Sequence, residues 1–200
     1  LADWVAIHAG QQIRAVLAAR QRPARMPLSF AQTRLWFINK HEGPSATYNI
    51  PLVVRLIGML DTAALIAAVG DVVARHESLR TVFPEADGIP WQRIVPAETM
   101  DVPLVVREVS GEEMAAAVAE AASYRFDLAT QIPLRAHLLV VSATEHVLVV
   151  VIHHIAGDWA SLGPLTQDVA TAYAARRAGH DPNWPPLPVQ YADYTLWQHE

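Results

Sequence analysis

The feature that most constrains this chain is an unbroken apolar run, Val147–Ile152, that ends in two adjacent histidines, His153 and His154. A strand with one wet face alternates apolar and polar residues, whereas a strand covered on both faces does not. The run is far shorter than the roughly 20 apolar residues that span a bilayer, and it has the length of a strand rather than a helix. It is therefore expected to lie at the centre of a sheet covered on both sides. A central strand holds the side chains at its end rigidly at the rim of the sheet, a favourable place for reactive groups. Successive strand residues point to opposite faces, so only one of His153 and His154 readily faces a given cavity.

The rest of the chain supplies partners for such a sheet. Leu134–Val141 precedes the run across a turn at 142–145, and Leu52–Ile57 and Val102–Val109 read as further strands. Leu79–Phe83 and Trp91–Val95 read as two short strands joined through the Asp87–Gly88 turn signal. Asp61 caps the clearest helix, with Ala64, Leu65, Ala68, Val69, Val72, Val73 and His76 on one face. Ser29–Asn39, with Ser29 at its N-cap, and Ser161–Arg177 read as helices, and 189–200 begins another. Ser110 and Glu113 have the spacing of a capping box for a helix through about Ser123. Residues 3–20 have mixed helical spacing, and Arg20–Pro27, basic with two prolines, reads as a linker. The fold class is thus α/β in composition (α+β in order), a mixed β-sheet packed by helices.

Composition narrows the chemistry. With 52% apolar and 18% charged residues the chain can bury a core. A net charge of −5 without runs of either sign gives no electrostatic footprint for nucleic acid. The absence of cysteine excludes disulfides, thiolate chemistry and Cys-ligated zinc, and is compatible with a cytoplasmic location. There is no signal peptide pattern at the N-terminus and no apolar stretch that suggests a membrane partner. None of the seven serines lies in Gly-x-Ser-x-Gly, and the nine glycines form no nucleotide-binding loop. The chain is expected to be a segment of something longer.

The segment His153-His154-Ile155-Ala156-Gly157-Asp158 admits three readings from its residues. The histidines close the strand structurally; or they ligate a metal, which their divergence and the lack of a third ligand disfavour; or one histidine is catalytic and Asp158 organises its loop. Arg80, between apolar neighbours, is expected to turn inward, where it needs a carboxylate; Asp158 is the candidate.

Four segments in order resemble one family. Ser29-Phe30-Ala31-Gln32-Thr33-Arg34-Leu35-Trp36, Arg75-His76-Glu77-Ser78-Leu79-Arg80-Thr81-Val82-Phe83, His153-His154-x-x-x-Asp158 and Tyr191-Ala192-Asp193-Tyr194-Thr195-Leu196-Trp197-Gln198 resemble the first four core motifs of condensation domains of nonribosomal peptide synthetases. The third alone is shared with other acyltransferases; all four in sequence over most of the chain are specific. The resemblance implies a chloramphenicol acetyltransferase-like lobe. Two such lobes form a V-shaped pseudo-dimer with a tunnel between them. Residues 26–200 would be the N-terminal, donor-side lobe, and 1–25 a helix and linker from an upstream carrier domain.

The same resemblance implies amide formation between an upstream acyl or peptidyl thioester and a downstream aminoacyl thioester, each on the 4'-phosphopantetheine of a carrier domain. It implies no cofactor or metal bound by the domain itself. Its partners would be the two carrier domains and the missing C-terminal lobe, for which an exposed apolar face is expected. His154 is implied as the catalytic residue, His153, Gly157 and Ser161 as its motif, and Asp158 as structural, paired with Arg80. One departure stands out: Trp159 occupies a position that is glycine in the family. It leaves open whether the tunnel is narrowed, and it keeps two alternatives in view: a non-catalytic or epimerisation-type domain that docks carriers, and a stand-alone acyltransferase.

Overall fold

The computed structural model describes residues 16–200. The helix expected over 3–20 therefore lies mostly outside the described residues, and 16–20 have no regular structure. Five helices and eight strands follow: α1 (Phe30–Glu42), β1 (Asn49–Ile57), α2 (Thr62–Arg75), β2 (Thr81–Val82), β3 (Glu85–Ala86), β4 (Ile89–Pro90), β5 (Arg93–Ile94), β6 (Leu104–Glu108), α3 (Met114–Ala122), β7 (Leu134–Ser142), β8 (Glu145–His153), α4 (Trp159–Arg177) and α5 (Tyr191–Gln198). The main sheet has the order β1–β8–β7–β6. Its first two pairings are antiparallel and β6–β7 is parallel, so the sheet is mixed.

The lack of polar alternation in β8 has a direct structural cause. Val147, Val149 and Val151 face a core with α3, Phe126 and Leu139. Leu148, Val150 and Ile152 face the opposite side, where α2 and α4 contribute Leu65, Val69, Leu165 and Val169. Both faces are covered, and β8 sits between β1 and β7 as expected. Helix α2 begins where its sequence says: the Asp61 carboxylate accepts the Ala64 N–H at 2.9 Å, and the six alanines, leucine and valines of the expected face are buried. His76, placed on that face from sequence, instead ends the helix in an extended conformation. Arg176 of α4 ties the two helices through a two-pronged contact with Asp71 at 2.6 and 2.7 Å.

Three expectations need correction. Leu79–Phe83 is not one strand: Glu77–Arg80 forms a 3-10 turn, and only Thr81–Val82 pairs, with β5. The Thr81 hydroxyl donates to the Glu77 carbonyl at 2.7 Å, which closes the turn against the β preference of its residues. The Asp87–Gly88 turn does make a hairpin, but between β3 and β4; both residues have positive φ, 55° and 78°, as a type I′ turn requires. The segment Arg20–Pro27 is no free linker either. Met26 is buried and bridges Gln92. Arg22 pairs with Glu77 at 2.7 Å and with the buried Asp193 at 3.3 Å. Burial pushes the Asp193 carboxyl up, but the Gln190 N–H, the Arg22 guanidinium and the Arg20 N–H outweigh it and hold it low.

Candidate functional site

The site forms where β8 stops. The His153 N–H donates to Pro133 O at 2.9 Å and the His154 N–H to Tyr48 O at 2.8 Å, so the backbone is held from both sides. The two imidazoles diverge as strand geometry requires. His153 is 1% exposed. Its Nδ1 accepts the Ile155 N–H at 3.1 Å, so Nε2 carries the proton of a neutral ring. Burial, with a smaller contribution from His154, pushes its pKa down to about 4. His154 is half-buried and lines a cavity of about 670 Å³. Its ring has no hydrogen-bond partner among the described residues, which leaves its nitrogens available to a reacting group.

After His154 the chain turns through Gly157 into α4. Asp158 is the N-cap of that helix: its Oδ1 accepts the Ser161 N–H at 3.0 Å and the Ser161 hydroxyl at 2.8 Å, and Ser161 Oγ accepts the Asp158 N–H at 3.2 Å. This reciprocal box extends the helix two residues before the Ser161 start expected from sequence. The Ser161 hydroxyl above all, with the Ser161 and Ala160 N–H groups and nearby His154, holds the Asp158 carboxyl below its ordinary range. Gly157 stands over this box, where a Cβ would meet Ser161 in ordinary contact at 3.4 Å.

The expected pairing of Asp158 with Arg80 is not formed. Arg80 Nη1 donates to Val95 O at 2.6 Å and Nε to Ala74 O at 3.3 Å, with Glu77 as the carboxylate nearby at 3.9 Å. The guanidinium thus closes the 3-10 turn and anchors the chain after β5, and three carbonyl and carboxylate groups meet the need that Asp158 was expected to meet. Trp159, the first residue of α4, is 71% exposed and does not belong to the cavity lining. It therefore leaves the cavity of this lobe unobstructed.

The cavity also gathers residues whose role was not read from sequence. Tyr191, at the start of α5, places its hydroxyl 3.0 Å from Ser29 Oγ, and burial raises its pKa. His76 lines the same cavity and holds Asp168 of α4 at 2.7 Å; Arg75 reaches the same carboxylate oxygen at 3.0 Å. Arg34 lines it from α1. Tyr191, His76 and Arg34 each lie inside a segment that resembles a family motif, which was the available signal. Asp168 had none, because its partners come from another helix. Phe30 and Phe37, two turns apart on α1, are 59% and 62% exposed, as are Val53 at 48% and Ile57 at 70% on the edge strand β1.

The comparisons agree with this geometry. The condensation domain profile matches residues 23–200. The chain is 57% identical over 187 residues to the probable non-canonical nonribosomal peptide synthetase CymA of Salinispora arenicola, covering 94% of this chain and 2% of that protein. It is 54% identical to the isonitrile lipopeptide synthase of Mycobacterium tuberculosis, covering 92% of this chain and 7% of that protein. Among solved structures, the X-domain from teicoplanin biosynthesis, in complex with OxyB, superposes with a TM-score of 0.88 at 40% identity, over 94% of this chain and 41% of that one. The chain thus spans a small part of the synthetases it matches and less than half of a complete domain of this fold.

Proposed function

Because the chain belongs to the condensation domain family of nonribosomal peptide synthetases, as its N-terminal lobe, we propose that the complete domain joins an upstream acyl or peptidyl thioester to the α-amine of a downstream aminoacyl thioester. The amine nitrogen attacks the thioester carbonyl, the C–S bond breaks, the donor thiol leaves and an amide forms. Both substrates arrive on the 4'-phosphopantetheine of carrier domains, which with the C-terminal lobe are the partners of this reading.

The observation that carries it is the division of labour between the two histidines. His153 is buried, neutral and committed to the Ile155 N–H. His154 faces the cavity with a ring that has no hydrogen-bond partner among the described residues. His154 takes the proton that the amine nitrogen loses as it attacks the carbonyl and the tetrahedral intermediate forms, a contribution of about 10²–10⁴ in rate. Asp158 acts on the loop as a helix cap. The test is amide formation by the complete domain with donor and acceptor loaded on their carriers, followed by mass spectrometry. An amide between the two acyl groups supports the reading; a folded domain with loaded carriers that yields none overturns it. The lobe alone, lacking half the tunnel, forms no amide.

A further inference from the structure

Attack on a thioester puts negative charge on the carbonyl oxygen, and the donor that stabilises it best is one whose direction is fixed beforehand. Four hydroxyl side chains line the reaction cavity: Tyr48, Ser78, Ser161 and Tyr191. The Ser161 hydroxyl already donates to Asp158 Oδ1 at 2.8 Å. Those of Tyr48 and Ser78 have no hydrogen-bond partner among the described residues, and neither has the Arg34 guanidinium, so nothing there fixes their direction. The Tyr191 hydroxyl is different, because it lies 3.0 Å from Ser29 Oγ.

That contact is the visible end of a buried network. Ser29 is the buried N-cap of α1: its Oγ accepts the Gln32 N–H at 3.1 Å, and its own N–H donates to Gln32 Oε1 at 2.9 Å. Gln32 Nε2 reaches Gln92 Oε1 at 3.4 Å, and Gln92 Nε2 donates to Thr195 Oγ1 at 3.1 Å. The Thr195 hydroxyl in turn donates to the Tyr191 carbonyl at 3.1 Å, one turn back in α5. The circuit returns to Tyr191, so its backbone and its hydroxyl are held by one network that ties α1 to α5. With the Gln32 N–H on Ser29 Oγ, the single hydroxyl hydrogen of Ser29 is free to go to the Tyr191 oxygen, which leaves the hydrogen of Tyr191 for the cavity. Burial above all, with Tyr194 and the Asp158 charge adding to it and the Ser29 hydrogen bond opposing, raises the Tyr191 pKa, so the hydroxyl keeps that hydrogen at neutral pH.

Building on the condensation reaction proposed above, we infer that Tyr191 is a second catalytic residue, whose hydroxyl donates a hydrogen bond to the oxyanion of the tetrahedral intermediate, with Ser29 as the positioning residue behind it. As the amine nitrogen bonds to the thioester carbon, the carbonyl π pair moves onto oxygen and meets the Tyr191 O–H, while His154 takes the proton from nitrogen. On collapse the C=O bond re-forms, the C–S bond breaks, and sulfur leaves with the proton that His154 holds. Tyr191 gives up no proton in either step. The oxygen carries its charge only after attack, so the contact strengthens there and adds little to substrate binding.

The experiment uses the complete domain with loaded carriers, in single turnover over a range of donor-carrier concentrations, with circular dichroism to confirm each fold. Tyr191→Phe keeps the ring and removes the donor. Its maximal rate is expected to fall by about 10²–10³, with the half-saturating donor concentration unchanged. Tyr191→3-fluorotyrosine keeps the hydroxyl but ionises at lower pH, so the alkaline limb of its rate profile is expected to move to lower pH than in the wild type. A folded Tyr191→Phe domain that condenses at the wild-type rate overturns the assignment, and so does a loss confined to the half-saturating concentration. A loss in Tyr191→Phe beside an alkaline limb that the fluorinated variant does not move makes the hydroxyl structural and overturns it as well. Absence of amide from the wild type overturns the reaction itself, and the assignment with it.

Discussion

The role of Asp158 separates two structural accounts by their energies. Family resemblance made it one half of an ion pair with Arg80; the structure makes it the cap of α4, with its Oδ1 on the Ser161 N–H and hydroxyl. Its carboxylate is exposed, so little desolvation is at stake. Asp158→Ala removes one cap, about 1 kcal/mol, and one negative charge at the N-terminus of a 19-residue helix, about 0.5 kcal/mol more. Asp158→Asn keeps an acceptor at the cap and loses only the charge term, about 0.5 kcal/mol. Urea denaturation of the chain, fitted with a common slope, measures both. The double variant Asp158→Ala, Arg80→Ala is expected to be additive within about 0.5 kcal/mol, because the two side chains share no partner. A loss of about 3–5 kcal/mol in either Asp158 variant, or strong coupling to Arg80, is what a broken buried ion pair produces, and would refute the capping account.

Further outcomes follow from other sites. The His153 pKa is depressed from 6.5 to about 4, so the unfolded chain binds a proton that the fold excludes. Stability is therefore full above about pH 6.5 and falls as the pH drops toward 4, by roughly 3 kcal/mol in all; urea midpoints across that range should show a slope that His153→Phe flattens, and an unchanged slope contradicts it. Arg22→Ala withdraws a charged donor from the buried Asp193 and is expected to lower stability by about 2 kcal/mol; a neutral result would mean that the segment before Met26 is not part of the folded lobe. Gly88, at φ 78° with open space around its Cβ position, should lose about 1 kcal/mol as Ala from backbone strain alone, which thermal denaturation can check.

The parts of the fold that were legible in the sequence are those fixed by local rules. The unalternating Val147–Ile152 run announced a central strand, the divergence of His153 and His154 followed from strand pleat, and Ser29 and Asp61 cap helices where their spacing says. Ser110, expected to cap the next helix, instead bonds Glu113 across a turn that precedes it, and the helix starts only at Met114 with Glu113 at its N-cap. What was illegible depends on distant chain. Arg80 needed acceptors, and the nearest carboxylate in the motif seemed to be Asp158; the carbonyls of Ala74 and Val95 that satisfy it carry no side-chain signal. Of the strand expected over 79–83, Leu79 and Arg80 belong instead to a 3-10 turn that Thr81 closes by bonding back to Glu77. The basic, proline-containing stretch before Met26 looked like a linker because its acidic partners, Glu77 and Asp193, are far off in sequence.

The central claim is that His154, and not His153 or Asp158, handles the proton in amide formation. Single-turnover condensation by the complete domain on loaded carriers, wild type against His154→Ala, tests it most directly, with circular dichroism of both to confirm the fold. A loss of at least about 10² in rate by a folded variant is the predicted result; a folded His154→Ala domain that condenses at the wild-type rate would contradict the account.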